Sequence, residues 1–236
     1  MKKIIAILMA AAVLTTAVCA KPKATKVGVS MPTKDLQRWN QDGSNMKAQL
    51  EKAGYVVDLQ FAANDIPTQV SQIENMITGK CKVLVIASID GTALSNVLET
   101  ARKKKIQVIA YDRLIMNSDA VSYYATFDNW KVGTIQGNFL VEKLNLKTRT
   151  ADNPATIELF TGSPDDNNIN FFFGGAMDVL KPYIDKGVLV VSSGQTSKQQ
   201  CATLNWSTEE AQKRMENLIS SQGYCPRGKK LDAVYS

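Results

Sequence analysis

The chain has 236 residues, of which 44% are apolar and 21% charged, and its 28 basic and 22 acidic side chains give a net charge of +6. This length holds one large domain or two small ones, on a prior of roughly 150 residues per domain, and the composition is that of an ordinary globular protein. No basic run is long enough to indicate nucleic-acid binding, and histidine, the commonest general base and metal ligand, is absent. We therefore expect no nucleic-acid partner, no metal site and no cofactor.

Residues 1–20 are predicted to form a secretory signal peptide. Two lysines follow the initiating methionine, the apolar run Ile4–Val13 comes next, and a small-residue segment ends at Ala20. The apolar run is too short to span a bilayer as a permanent helix. We expect cleavage after Ala20. An alternative is a lipid-modified N-terminus at Cys19, although the three residues before it lack the leucine that such sites usually carry.

Beyond residue 20, short apolar runs alternate with helical periods. The predicted strands are Lys26–Ser30, Tyr55–Phe61, Lys82–Ala87, Ile106–Tyr111, Val121–Thr126, Thr156–Phe160, Val188–Ser192 and Leu231–Tyr235. The predicted helices are 41–53, 66–78, 92–104, 129–144, 168–180 and 208–221. This alternation predicts an α/β fold with two doubly wound parallel-sheet lobes.

The polar segment Lys147–Pro154 separates the two periodic blocks and indicates a domain boundary. We assign residues 21–128 to an N-terminal lobe and 129–236 to a C-terminal lobe. The second block has three strands, and no helix follows the last one. We therefore expect the second lobe to be incomplete and the chain to be C-terminally truncated; misplaced strands are the alternative.

Three cysteines remain after the expected cleavage: Cys81, Cys201 and Cys225. Cys81 precedes an apolar strand and is predicted to be a small core residue. Cys201 and Cys225 flank a helix of about fifteen residues, roughly 22 Å long. A disulfide needs Cα atoms within about 7 Å, so both flanking loops would have to fold back along that helix. Both a bridge and free thiols stay open.

The most informative segment is Ile106–Arg113, an apolar strand that ends in the adjacent acid and base Asp112 and Arg113. Planar carboxylate and guanidinium groups at a sheet edge can hold a ring of hydroxyl groups without any bond chemistry. The alternative is a simple salt bridge that closes the strand, because many ion pairs have no functional role.

Further polar and aromatic residues follow the other strands, at the edge where ligands bind in open α/β sheets. The candidate set is Arg38, Trp39, Asp90, Asp166, Asn168 and Trp206. Carboxylates and amides bind vicinal hydroxyls, and indole rings stack on sugar C–H faces. Structural alternatives are helix packing for Trp39, an ordinary turn for Asp90-Gly91, an N-cap for Asp165 or Asp166, and a hydrophobic staple for Trp206.

Long motifs carry a family resemblance: QVSQIENM (69–76), VLVI (83–86), AYDRLI (110–115), TFDN (126–129), GSPDDNN (162–168) and VLKPYID (179–185). From Lys26 to its end, the chain resembles the periplasmic sugar-binding proteins of ABC transporters. These are type I solute-binding proteins, and the xylose-binding and multiple-sugar-binding subgroup is nearest. The resemblance implies a periplasmic binding protein fold and a periplasmic location. It also implies that part of the second lobe and several ligand contacts follow Ser236.

By the same resemblance, an aldose (xylose, glucose, galactose or arabinose) is captured between two closing lobes. The residues that match the family's sugar contacts are Arg38, Trp39, Asp112, Arg113, Asp166, Asn168 and Trp206. The implied partner is an ABC permease in the inner membrane, and the protein is expected to be a monomer. A sensor that delivers sugar to a chemoreceptor or two-component system is the alternative.

Other classes of protein fit less well. A glycosidase needs two opposed carboxyl groups roughly 5–10 Å apart, whereas Asp165 and Asp166 are neighbours in sequence. A sugar-responsive repressor would carry a helix-turn-helix where this chain has its leader. We therefore predict a binding protein rather than an enzyme, and the sequence leaves the identity of the sugar open.

Overall fold

The computed structural model describes residues 24–236, so the predicted signal peptide and Cys19 lie outside the described residues. The first sheet has five parallel strands in the order β2-β1-β3-β4-β5. These strands are β1 Lys26–Met31, β2 Val56–Phe61, β3 Val83–Ile86, β4 Gln107–Tyr111 and β5 Val121–Ala125. Helices α1 Gln37–Lys52, α2 Ile66–Thr78 and α3 Ser95–Lys103 connect β1 to β4 in turn, and β5 follows β4 directly.

Both faces of this sheet are covered by apolar side chains. On one face, residues of α1 such as Trp39 pack with Val27, Val29 and Val85 of the strands. On the other face, α2 and α3 pack against alternate strand residues, among them Leu84. This arrangement confirms the doubly wound fold that the sequence predicted for the first block, because parallel strands covered on both faces read as continuous apolar runs.

The second sheet has three parallel strands in the order β7-β6-β8. Its strands are β6 Ala155–Leu159, β7 Leu189–Val191 and β8 Ala233–Tyr235, and its helices are α4 Asn129–Lys143, α5 Asn168–Asp185 and α6 Thr208–Gln222. A single 3₁₀ turn, Leu204–Trp206, precedes α6. Leu140 of α4 and Ile157 of β6 lie in one core. The polar segment Lys147–Pro154 therefore joins elements of one core, whereas its composition had predicted a boundary between two cores.

Helices α4 and α5 approach so closely that only glycine fits at their contact. A Cβ on Gly133 would lie 2.0 Å from the Phe172 carbonyl oxygen, and one on Gly175 would lie 2.1 Å from the Trp130 carbonyl oxygen. Both distances are far below van der Waals contact, so the backbones themselves touch. This close packing fixes the start of α5, which carries candidate site residues.

Two helix bounds differ from the sequence prediction in ways that matter here. Helix α1 begins at Gln37 rather than near residue 41, so Arg38 and Trp39 lie in its first turn instead of a loop. Helix α5 continues past Pro182 to Asp185. Proline removes one helical hydrogen bond, but Tyr183 and Ile184 beyond it pack against the second core, and this burial favours continuation.

Within residues 24–236, the structure has no disulfide between Cys201 and Cys225. Cys81 and Cys201 are buried and Cys225 is exposed, and all three are free thiols. Burial raises the pKa of the Cys81 and Cys201 thiols, which disfavours the reactive thiolate at both. Cys81 is thus the small core residue that the sequence predicted, and Cys201 is another.

Candidate functional site

A cavity of about 180 Å³ lies where the carboxyl ends of β1 and β4 face the start of α5. Its lining residues are Leu36, Arg38, Trp39, Asp112, Arg113, Asp166, Asn168, Phe172 and Trp206. In an open α/β sheet this edge is where ligands bind. The structure therefore brings together every predicted site residue except Asp90.

Asp112 follows β4 in a left-handed backbone conformation, with φ of +61°. Few residues other than glycine adopt this conformation, although aspartate is among those that tolerate it. Its carbonyl oxygen accepts hydrogen bonds from the Tyr124 hydroxyl at 3.1 Å, the Thr126 hydroxyl at 3.0 Å and the Asn168 amide at 3.1 Å. These three donors hold the strained peptide and leave the Asp112 carboxylate facing the Arg38 guanidinium, with which it pairs.

Arg113 extends from the first sheet to the second part of the chain. Its Nη1 donates to the backbone carbonyls of Ser88 at 3.1 Å and Ile89 at 3.2 Å. Its Nε lies 3.1 Å from an Asp166 carboxylate oxygen, at an angle that makes an ion pair but not a hydrogen bond. Both side chains are almost fully buried. Because so little solvent screens this ion pair, the attraction between its two charges is stronger than between charges at the surface.

Asp166 sits in a network of donors at the other wall of the cavity. Its carboxylate accepts the Asn168 backbone N–H at 2.9 Å and the Trp206 indole N–H at 3.1 Å. Burial raises the pKa of the Asp166 carboxyl, and the positive charge of Arg113 and these two hydrogen bonds offset only part of that effect. The carboxylate is therefore a desolvated acceptor that a further hydrogen-bond donor would stabilise.

The two tryptophans have different surroundings. Trp39 is only 3% exposed. The guanidinium carbons of Arg38 and Arg113 lie 4.5 Å and 5.3 Å from the centre of its ring, so Trp39 supports two cations and packs its helix. Trp206 lies flat against Gly162, where a Cβ would come within 1.9 Å of the indole. Trp206 thus lines the cavity with its ring packed on Gly162, whereas Trp39 acts mainly through the arginines.

Asp90 is the predicted site residue that does not line this cavity. Its Oδ1 accepts hydrogen bonds from the backbone N–H of Thr92 at 2.6 Å and from the Thr92 hydroxyl at 2.7 Å. These bonds close the turn before α3, which is the structural alternative that the sequence allowed. The loop contributes to the site through the carbonyls of Ser88 and Ile89 instead, and the sequence carried no sign of that.

Sequence reasoning also missed Leu36, Phe172 and Asn129. Leu36 and Phe172 are apolar walls of the cavity. Asn129 is buried at the start of α4, and its amide donates to the Asn168 side-chain oxygen at 2.9 Å. Asn168 thus bonds both to Asn129 and to the Asp112 carbonyl. The three adjacent phenylalanines at 171–173 were a usable signal for an aromatic wall, because a helix buries only part of such a run.

The site's chemistry is that of noncovalent recognition of a polar ligand. Carboxylates, a guanidinium fork and amides converge beside aromatic and aliphatic walls, the usual composition of a small-molecule pocket. Within residues 24–236, acidic and cysteine side chains do not gather in groups of three or more that would hold a metal ion. Every helix in this part of the chain is too short or too polar to cross a bilayer.

Comparison with known proteins identifies the family of this chain. The family model "Periplasmic binding protein domain" matches residues 27–236. The chain is 55% identical to the multiple sugar-binding periplasmic receptor ChvE of Rhizobium radiobacter, over 94% of this chain and 63% of that protein. It is 37% identical to the D-xylose-binding periplasmic protein of Escherichia coli, over 98% of this chain and 64% of that protein.

Among solved structures, the chain is similar to an ABC transporter solute-binding protein from Clostridium phytofermentans with bound β-D-glucose. The two are 65% identical with a TM-score of 0.85, over 89% of this chain and 64% of that chain. The chain thus spans less than two thirds of the length of these relatives. The family consists of binding proteins, as the sequence predicted, and the chain belongs to the periplasmic binding protein domain family.

Proposed function

We propose that this chain is the sugar-capturing part of an ABC importer and binds one aldose monosaccharide in the cavity between its two lobes, residues 21–128 and 129–236. The observation that carries the proposal is the convergence of Asp112, Arg113, Asp166 and Trp206 on one small cavity. Its volume of about 180 Å³ is below the roughly 300–1,000 Å³ typical of sites for drug-sized ligands, and suits a single sugar ring.

The contacts explain how capture would work. Arg113 of the first lobe and Asp166 of the second are already paired across the cavity. A sugar whose hydroxyls bridge a guanidinium and a carboxylate would satisfy both groups and keep the two lobes together. Sugar binding stabilises the closed state only by its differential affinity for that state. The closed form would then dock on the permease.

The relatives support the same class of ligand. One is named a multiple sugar-binding receptor, another a D-xylose-binding protein, and a third holds β-D-glucose. We place the protein in the periplasm, with cleavage after Ala20, and expect it to act as a monomer. The word "receptor" in the first name also keeps a sensing role, through a chemoreceptor or two-component system, as a second candidate.

The three tryptophans give a direct test. Trp39 and Trp206 line the cavity, whereas Trp130 is 44% exposed elsewhere. We expect D-glucose, D-xylose, D-galactose or L-arabinose to shift the indole N–H resonances of Trp39 and Trp206 in a saturable way, at about 1 mM or below, and to leave Trp130 unchanged. Titration of the isotope-labelled chain measures this. Equal drift of all three signals, or no saturation for any aldose, would remove the sugar assignment.

A further inference from the structure

Two residues outside the cavity lining support the cavity's Arg38: Asp42 pairs with Arg38, and Tyr111 bonds to Asp42. Asp42 lies one helical turn after Arg38 in α1, and its Oδ2 is 3.5 Å from the Arg38 Nε. The same Oδ2 accepts a hydrogen bond from the Tyr111 hydroxyl at 3.1 Å. Tyr111 is the last residue of β4 and immediately precedes Asp112. One carboxylate thus ties the first turn of α1 to the end of the strand that carries the acid-base pair.

Arg38 needs such support because it is the least buried charged group of the cavity. Its side chain is 49% exposed, against 9% for Asp112. A long, exposed side chain keeps many rotamers open, and fixing it costs conformational entropy. Asp42 holds the Nε end of the guanidinium, Asp112 contacts Nη2, and the Trp39 ring lies beneath. The remaining N–H donors are then oriented before a ligand arrives.

Arg38 also lies between two cavities. It lines the 180 Å³ cavity described above and, together with Tyr111 and Asp112, a second cavity of about 210 Å³ that extends to Phe127. A guanidinium released from Asp42 has room to turn toward this second space. Its position therefore sets the outer wall of the sugar-sized cavity.

From this geometry we propose that Asp42 and Tyr111 are positioning residues for ligand binding, which act only through Arg38 and do not touch the ligand. The proposal rests on the proposed function and adds two residues to it. The negative charge of Asp42 and the hydrogen bond to it also contribute, after burial, to a raised pKa of the Tyr111 phenol.

The first experiment measures D-glucose affinity of the full chain and its variants. Asp42→Asn and Tyr111→Phe should each weaken binding by about three- to tenfold, because the first removes the charge that pairs with Arg38 and the second removes the hydrogen bond that holds Asp42. In an Arg38→Ala background, neither change should weaken binding further. Additive losses in that background would overturn the proposal, because they would show a role independent of Arg38.

Matched controls lie in and directly before β2. Asp58→Asn removes a carboxylate that pairs with Lys26 at 2.9 Å, and Tyr55→Phe removes a hydroxyl from a 41% exposed ring. Both lie away from the cavity and should leave glucose affinity unchanged. A loss of affinity in either control equal to that in Asp42→Asn would point to general destabilisation and overturn the positioning role.

A second measurement needs no sugar. The Arg38 Nε–H resonance, assigned with Arg38→Lys, should shift in Asp42→Asn, because Asp42 Oδ2 lies 3.5 Å from Nε, and shift less in Tyr111→Phe. Such a shift without any glucose binding by the parent chain would support the positioning role and contradict the proposed function alone. An Arg38 signal that is unaffected by Asp42→Asn would overturn the positioning role itself.

Discussion

The two sheets share a strand order but differ in what covers them. The first three strands of each are arranged alike, as β2-β1-β3 and β7-β6-β8. Apolar core clusters cover both faces of the first sheet, whereas the core cluster of the second sheet, within residues 24–236, lies on its α4–α5 face. The same topology thus supports two kinds of interior. The cavity is lined by residues from both parts of the chain.

The other face of the second sheet holds a buried carboxylate. Glu158 is fully buried in β6 and accepts hydrogen bonds from the Ser193 backbone N–H at 3.0 Å and the Tyr224 hydroxyl at 2.6 Å. Burial and the bond to Glu158 raise the pKa of Tyr224 to about 12. Val234 on the same face is 41% exposed. On this face, a hydrogen-bonded carboxylate lies where the first sheet has apolar side chains.

The largest effect is expected where the two lobes pack their helices differently. Gly133→Ala should destabilise the second core by about 3–5 kcal/mol, because its Cβ would overlap the Phe172 backbone carbonyl, which cannot move aside. Gly43→Ala in α1 would meet only side chains at 3.1 Å or more, so it should change the free energy of unfolding by no more than about 1 kcal/mol.

Denaturant unfolding of both variants measures this contrast. The Gly133→Ala loss should appear first in amides of α4, α5 and β6 by hydrogen exchange, while the amides of the first sheet stay protected. Equal destabilisation by the two substitutions would show that helix contact is no tighter in the second core than in the first.

The second prediction concerns the bond that spans both lobes. Arg113→Ala should cost on the order of 2–4 kcal/mol of sugar affinity, because it leaves the buried Asp166 carboxylate without its partner. Calorimetric titration with D-glucose measures the loss. Arg102→Ala, which removes an exposed ion pair with Glu99, is the control and should leave affinity unchanged. An unaltered affinity in Arg113→Ala would mean that the Arg113–Asp166 ion pair has no role in binding.

The third prediction tests the polar face of the second sheet. Glu158→Gln places an amide donor among the donors of Ser193 and Tyr224, so we expect a loss of about 1–3 kcal/mol in the free energy of unfolding. Asp58→Asn on the first sheet breaks a partly exposed pair with Lys26 and should cost about 0–1 kcal/mol. A Glu158 variant as stable as the parent chain would mean that the apolar α4–α5 face alone holds this sheet.

The sequence predicted most of this architecture where local signals agree with packing. The bounds of α2 match the prediction because Asp65 accepts a hydrogen bond from the Thr68 N–H and a proline stands in the first turn. The start of α1 was misplaced because Leu36 provides no side-chain cap, and burial of Trp39 decides it instead. A side-chain cap is therefore one local signal that marks a helix start, and at α1, where it is missing, packing decides the start.

The residues of the candidate site show the same limit of local sequence signals. Asp90 and Asp166 both follow apolar strands and both precede helices, so sequence alone treats them alike. Only the fold shows that Asp166 faces Arg113 while Asp90 bonds to its own turn. The bond from Asn168 to the Asp112 carbonyl joins residues 56 positions apart, and the left-handed backbone at Asp112 leaves no trace in the sequence. Residue types were predictable, but their partners were not.

The smallest expected effect is a pH dependence of stability that distinguishes the buried Asp166 carboxyl group from a surface acid. Because burial raises the pKa of Asp166 above its usual 3.8, the folded state binds more protons than the unfolded state between 3.8 and that raised value. Stability contributed by this group is therefore fully present below pH 3.8 and is lost as pH rises through the raised pKa. Asp166→Asn removes this term, so the variant's stability should gain relative to the parent as pH rises through that window.

Asp65 provides the opposite case within the first lobe. Its hydrogen bonds with Thr68 lower the pKa of its carboxyl, so its contribution is present above pH 3.8 and is lost as pH falls. Thermal unfolding between pH 3 and pH 7 should therefore show Asp166→Asn and Asp65→Asn diverging from the parent chain in opposite directions. Parallel curves for the two variants would mean that the Arg113 pair, and not burial, governs the protonation of Asp166.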